Sequence, residues 1–223
     1  LVKRRRAHDP VAYLLGHKEF HSLELLVSSA VLIPRPETEH LLDAALDFVT
    51  ANKMQKPRVL DLGTGSGALA IAMAARCQEA QVIATDISSE ALLVAQENAR
   101  RHGVQSRVRF LWGSVFKPIG GQRFDVIMTN PPYLALAEYD SLPEDVRGFE
   151  PHVALFSGVD GLQVIREICT DALSFLNRPG VLLLEFGESQ GEAVLALCHN
   201  TPWSETTLKV DLRGIPRFLV AKT

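Results

Sequence analysis

The sequence has 223 residues, of which 47% are hydrophobic and 22% charged, and its net charge is −3. A chain of that size buries a substantial core without staples and suits one sizeable domain with a small appendage, while the slightly acidic balance excludes a surface built throughout for polyanions. The three cysteines, at 77, 169 and 198, make no C-x-x-C pair, so reduced thiols are expected rather than a disulfide framework or a zinc ribbon.

The chain opens at Leu1, not Met, which reads as a piece of a longer protein. Lys3-Arg4-Arg5-Arg6 reads as a solvated helix end in preference to a nucleic-acid patch. Residues 13–33 read as a short β element, with Leu23, Leu25 and Val27 alternating, a turn at Ser28-Ser29, and Val31-Leu32-Ile33 as a second strand. Pro34-Arg35-Pro36-Glu37-Thr38-Glu39 follows, with proline and acids suited to a helix start. Leu41, Leu42, Ala45, Leu46 and Val49 then keep helical spacing.

From residue 58 strands and helices alternate. Val59–Leu62 is a strand, Ala68–Arg76 a helix, and Val82–Thr85 a strand ending at Asp86. A helix follows, capped by Ser88 or Ser89, with Ala91, Leu92, Ala95 and Ala99 inward. Val108–Leu111 and Phe124–Met128 are further strands. A helix covers 161–176, and Val181–Leu184 is a strand opened by Pro179-Gly180. A helix near 190–199 and strands near 206–210 and 216–221 finish the chain. This alternation, with nearly all-apolar strands, predicts an α/β fold with a parallel sheet covered on both faces and an antiparallel hairpin at its edge. No apolar run approaches the roughly 18 residues needed to span a bilayer, and no signal peptide is visible. A cytoplasmic protein without membrane contact is the expectation.

The first of these strands runs into Asp61-Leu62-Gly63-Thr64-Gly65-Ser66-Gly67. Its glycines allow a sharp turn and close approach to a ligand. Their spacing is G-x-G-x-G, not the G-x-G-x-x-G of dinucleotide sites. Asp86, at the end of the next strand, is placed to accept hydrogen bonds from both hydroxyls of a ribose. Alone it would read as a helix cap; behind a glycine loop in a βαβ frame it reads as a ligand residue.

Asp61–Gly67 and Asp86 together resemble the class I, Rossmann-like methyltransferases. The resemblance implies a mostly parallel seven-stranded sheet with an antiparallel edge strand. It implies S-adenosyl-L-methionine as cofactor, S-adenosyl-L-homocysteine as product, and no metal. Asp61, Gly63, Thr64, Gly65, Ser66 and Gly67 would hold the methionine part, with Asp61 near its ammonium group. The residues that would flank adenine include Ser114 and Val115. Many relatives have an acid where Ser114 stands, which points to a weaker adenine contact or one made by main chain.

Asn130-Pro131-Pro132-Tyr133 directly follows the fourth of these strands, on the rim where ligands of parallel sheets bind. The prolines fix φ and remove two donors. The Asn130 side chain and the Pro131 carbonyl are thereby available as acceptors for a planar NH₂ group, with Tyr133 offering a flat face or hydroxyl beside it. Alignment for in-line displacement and hydrogen bonding of the attacking N–H groups supply much of the rate without a strong base. Both an exocyclic adenine amine and a glutamine amide satisfy this description.

The flanks narrow the choice. Tyr13-Leu14-Leu15-Gly16 with Glu19-Phe20, then Leu32 to Glu39, Arg147 to Pro151, Gly158 to Leu162 and Leu184 to Gly187, resemble the HemK/PrmC family. Its members methylate the glutamine amide in the Gly-Gly-Gln loop of peptide chain release factors. The resemblance implies those factors as partners, and it disfavours nucleic acid as the direct substrate. Adenine in nucleic acid and a ribosomal-protein glutamine are the alternatives. It divides the chain into residues 1–15, the end of an N-terminal helical docking domain; 16–33, a β-hairpin linker; and 34–223, the catalytic domain. Residues 34–39 would line the pocket beside the cofactor, making Arg35 a substrate candidate and Glu37 and Thr38 cofactor candidates; Asn130 is a cofactor candidate too. His17 and His21, four apart, are read as surface or packed histidines rather than metal ligands. Gly120-Gly121-Gln122 is read as a turn, and Trp112 and Phe116 as core or adenine-pocket packing.

Overall fold

A computed structural model describes residues 1–199, 201–211 and 213–223. Two short helices, α1 (Val2–Arg6) and α2 (Val11–Leu15), lead into a hairpin of β1 (His17–Phe20) and β2 (Leu23–Leu26). The basic run forms α1, none of whose residues is buried.

Seven strands form one sheet: β3 (Arg58–Leu62), β4 (Gln81–Asp86), β5 (Val108–Trp112), β6 (Phe124–Thr129), β7 (Leu176–Glu185), β8 (Glu205–Val210) and β9 (Pro216–Lys222). Their order is β5-β4-β3-β6-β7-β9-β8. The first five strands run parallel, while β9 is antiparallel to both β7 and β8. The chain moves outward from β3 through β4 to β5, then returns to the other side of β3 with β6. That reversal opens a crevice at the carboxyl ends of β3, β4 and β6, the general ligand position of doubly wound sheets.

Helices cover both faces because the strands are apolar on both. On one face α3 (Glu39–Ala51), α4 (Ala68–Arg76) and α5 (Ser89–Arg101) pack over Val59, Val82, Val126 and Leu183. On the other, α8 (Gln163–Asp171) and α9 (Gly191–His199) pack over Leu60, Ile127, Leu182 and Leu184. Two further one-turn helices, α6 (Glu144–Arg147) and α7 (His152–Leu155), lie in the long connection between β6 and α8. Ser88 caps α5, its side chain accepting from the Ala91 amide. The helix expected over 161–176 is α8 followed by a tighter turn at Ala172–Phe175, and β7 already begins at Leu176.

The N-terminal β element differs from expectation. The strands pair His17 with Leu26 and Phe20 with Leu23, so the turn is at His21-Ser22, not Ser28-Ser29. Both turn residues are left-handed, with φ of 49° and 60°, the conformation that matches hairpin twist. Val31–Ile33 is not a strand. Val27 and Val31 pack instead on Ala91 of α5, and the Tyr13 hydroxyl donates to the Val31 carbonyl.

Candidate active site

A cleft of about 300 Å³ opens at the switch point, bounded by the glycine loop, the end of β4, the turn after β5 and the end of β6. Gly63, Gly65, Asp86, Ser114, Val115, Asn130, Pro131 and Pro132, all read from the sequence as site residues, line it. Such a volume sits at the small end of ligand pockets.

The glycine loop is built for a ligand's approach. Gly63 and Gly65 have φ of 70° and 55°, and a Cβ added to either meets no atom within 4 Å. They keep open the side of the loop that faces the cleft. Gly65 donates its amide to Asp86 Oδ2 at 2.8 Å, and Ser88 donates to Asp86 Oδ1 at 2.9 Å. The acid thereby ties the loop to the end of β4. Burial raises its pKa, against the pull of those amides. An acid, open glycines and main-chain donors around one cavity fit a ligand carrying hydroxyls and a zwitterionic tail. S-adenosylmethionine is such a ligand.

Four of the loop candidates support the cleft without lining it. Asp61, expected beside an ammonium group, is 1% exposed. Its Oδ2 accepts from the Thr64 hydroxyl at 2.6 Å and the Ala70 amide at 3.1 Å, bracing the loop against the start of α4. Burial pushes its carboxyl up to about 7. Thr64, Ser66 and Gly67 are buried beneath the same loop. Asn98 of α5, which the sequence reading passed over, is fully buried there. Its Nδ2 donates to the carbonyls of Ser66 at 2.9 Å and Leu26 at 3.0 Å, and its Oδ1 accepts from the Leu26 amide at 2.7 Å. One side chain thus joins the hairpin to the glycine loop. Its signal was a polar residue on the apolar face of a helix.

The Asn130–Tyr133 turn is held from several sides. Leu134 pairs with the chain at Leu155–Ser157. Gln190 donates to the Tyr133 carbonyl at 2.8 Å. Gly161 lets the turn pass, since a Cβ there would lie 2.3 Å from that carbonyl. Asn130 Nδ2 donates to Thr38 Oγ1 at 3.0 Å, and the Thr38 hydroxyl donates to Glu185 Oε2 at 2.7 Å. Thr38 and Glu37, expected at the cofactor, do not line the cleft; Thr38 backs Asn130. Tyr133 likewise sits behind the cleft wall, its phenol pushed up to about 12 by burial and by Glu185. Glu185, 4% exposed, was not singled out from the sequence. A lone acid closing the apolar run of β7 was its trace.

Arg35 is not turned into the cleft either. Its Nη2 donates to Glu150 Oε1 at 2.6 Å, and the Ile33 amide donates to Oε2 at 3.4 Å. This holds residues 30–33 as a wall: Ala30, Val31 and Leu32 line the cavity opposite α7. Burial raises the Glu150 pKa despite the facing guanidinium. In an Arg35→Met variant the carboxyl loses that partner and its folded-state pKa rises further. An acid whose pKa is raised by folding favours the native state at low pH, and that support is lost once the unfolded chain ionises near pH 4. The variant is therefore expected to lose more stability at pH 8 than at pH 4.5, by about 3 kcal/mol or less for one broken, partly exposed pair. Chemical denaturation at the two pH values checks this.

The remaining candidates lie elsewhere. Trp112 is 71% exposed, so it is not core packing, and it does not line the cleft. Its indole donates to the Ile87 carbonyl. Phe116 is buried and stacks on Phe175 at 4.4 Å. His17 faces Glu24, and His21 contacts Asp43 and Arg76. Gly120–Gln122 forms the turn between β5 and β6. Among the described residues no group of three or more His, Cys, Asp or Glu is arranged for a metal ion, and no helix is long and apolar enough to cross a membrane.

The chain is similar to known proteins over its whole length. The methyltransferase small domain family matches residues 39–142. A release factor glutamine methyltransferase of Geobacter sulfurreducens is 41% identical over 219 residues, covering 98% of this chain and 75% of that protein. One of Xylella fastidiosa is 43% identical, covering 100% and 79%. Among solved structures, the human METTL16 catalytic domain with an RNA hairpin superposes with a TM-score of 0.71 at 16% identity, covering 90% of this chain and 75% of that one. The T. thermophilus 16S rRNA methyltransferase RsmC, solved with AdoMet and guanosine, gives 0.66 at 19% identity, covering 93% and 49%. At those identities the structures share the fold with this chain.

Proposed function

The chain belongs to the release factor glutamine methyltransferase family, and on that premise we propose that it moves a methyl group from S-adenosylmethionine to the side-chain amide nitrogen of the glutamine in the Gly-Gly-Gln motif of a peptide chain release factor. The relatives support glutamine as the acceptor, and the observation that supports a planar NH₂ group as the nucleophile is the polarity of the Asn130 amide. Its NH₂ group is committed to Thr38, so its carbonyl oxygen is left to accept. Pro131, the next residue in the chain, lines the same cleft and has a carbonyl to offer. Two acceptors side by side orient an incoming NH₂ group.

When bound, the cofactor supplies an electrophilic methyl on a good leaving group. The protein's share is placement. Asp86 takes the ribose hydroxyls, and the loop at Gly63–Gly65 offers its backbone to the methionine end. Ser114 and Val115 flank the base with main chain and an apolar face. Asn130 and Pro131 hold the substrate nitrogen in line and accept from its N–H groups as positive charge develops. Tyr133 acts from behind the cleft wall, where its buried phenol feels the charge of Glu185. A substrate that works on ribosomes supports a cytoplasmic location for the enzyme.

Mass spectrometry of a release factor incubated with cofactor and enzyme is expected to find one added methyl, on that glutamine. Methyl transfer to DNA with none to protein would reject the reading. The Asp86→Ala variant loses two charge-assisted partners of the ribose and the tie to Gly65. Its cofactor dissociation constant by calorimetry is expected to rise about 10- to 100-fold; an unchanged constant removes Asp86 from the site.

A further inference from the structure

We propose that Thr38 and Glu185 are positioning residues: through a directed pair of hydrogen bonds they force the Asn130 amide to turn its oxygen, not its nitrogen, toward the substrate. The proposal rests on the glutamine-methylating role given to Asn130 above. An asparagine amide is nearly symmetric in shape, so its two ends exchange by a half-turn about χ2. The turned amide would offer NH₂ to a substrate that itself brings NH₂. Two donors then face each other and the nitrogen is no longer held in line. Some group must choose the direction.

The chain Asn130–Thr38–Glu185 makes that choice by counting hydrogens. An ionised carboxylate only accepts. Thr38 has one hydroxyl hydrogen, and at 2.7 Å from Oε2 it goes to Glu185. The Thr38 oxygen is then left with lone pairs alone toward Asn130, 3.0 Å away. Only the NH₂ end of the amide satisfies it. The three residues come from a one-turn helix before α3, from the end of β6 and from the end of β7. Thr38 is 5% and Glu185 4% exposed, so water does not substitute for either partner.

The choice depends on charge. A protonated Glu185 can itself donate to Thr38, releasing the Thr38 hydrogen to the Asn130 oxygen and permitting the half-turn. Burial pushes the Glu185 carboxyl up to about 7, with Glu37 raising it and Arg217 and Arg35 opposing. Tyr133 also faces it, as a neutral phenol. Turnover is therefore supported above that value and declines as pH falls through it.

The test compares wild type with Thr38→Val, Thr38→Ser and Glu185→Gln, using cofactor and a release factor between pH 6 and 8.5. Thr38→Val is expected to lower kcat about tenfold, the effect of losing one hydrogen bond to a charged network, with cofactor affinity unchanged; Thr38→Ser restores it. Glu185→Gln, whose amide offers both a donor and an acceptor, is expected to abolish the acid limb of the kcat profile. In parallel, the Asn130 side-chain amide ¹⁵N signal should move with a midpoint near the Glu185 value in wild type and stay fixed in Glu185→Gln. Wild-type turnover in Thr38→Val, or an acid limb and a moving amide signal that persist in Glu185→Gln, overturns the relay. A wild-type enzyme inactive on release factor overturns the family reaction instead, and the amide signal still decides the relay.

Discussion

In the Asn130→Ala variant, kcat is expected to fall about 10²- to 10³-fold, the range seen when one preorganised polar group is removed from a reacting centre. Cofactor affinity should stay within a small factor of wild type. The asymmetry follows from what Asn130 touches. Its nitrogen is bound to Thr38, and its oxygen is the acceptor we propose for the substrate. Asp86 and the glycine loop are held by other bonds, from Gly65 and Ser88 to Asp86. Alanine therefore leaves the cofactor side assembled and takes away alignment of the nitrogen. It also leaves Pro131 as the sole designated acceptor, so the NH₂ group is tethered at one point and swings. Single-turnover methylation beside calorimetric titration separates the two effects. Equal turnover in wild type and variant would remove Asn130 from the positioning of substrate.

The Gly67→Ala variant is expected to be destabilised by about 2–5 kcal/mol, for two separable reasons. Gly67 has φ of 85°, and an added Cβ would lie 2.6 Å from Ile71 Cδ1 and 3.2 Å from the Ala95 side chain. The left-handed conformation costs a β-carbon about 1–2 kcal/mol, and overfilling a packed interior adds about 1–3 kcal/mol. For a chain of this size that lowers the melting temperature by roughly 5–15 °C. Gly63→Ala is the control: its φ is 70° but no atom lies within 4 Å of the new carbon. It carries the conformational strain alone and should be destabilised by no more than about 2 kcal/mol. Thermal unfolding of the pair checks this, and equal losses in the two would show that contact with Ile71 and Ala95 does not matter.

The sheet and its ligand rim were legible because parallel strands buried on both faces leave short apolar runs between helices. Three of these runs carried a residue whose chemistry could be read at or beside their ends, Asp61, Asp86 and Asn130. The hairpin was misread because Leu25, Leu26 and Val27 are consecutive apolar residues and blur a two-residue period. Its turn, His21-Ser22, carries no glycine to mark the left-handed pair. What the sequence could not show were bonds between distant positions. Thr38 meets Glu185 across 147 residues, and Asn98 meets Leu26 across 72. The acids at 150 and 185 are visible only as polar residues in apolar company, which names them as unusual without naming their partners. Arg35, read as a pocket residue, is instead half of a pair with Glu150, because a cation at the edge of the core is drawn first to the buried charge beside it.

The wall formed by residues 30–33 has a consequence for where one division of this molecule ends and the next begins. All seven strands of the sheet lie beyond residue 57, so a cut placed after residue 33 keeps the whole sheet, although it takes Phe20 and Leu25 out of the core. It nevertheless removes Ala30, Val31 and Leu32 from the cleft, leaves the side chain of Asn98 with two empty valences toward Leu26, and strips the Ile33 amide from Glu150. The piece that holds the whole sheet and the piece that encloses the cleft are thus different pieces. The stretch ahead of the sheet, which by its pattern looked like a connector, is one half of the container.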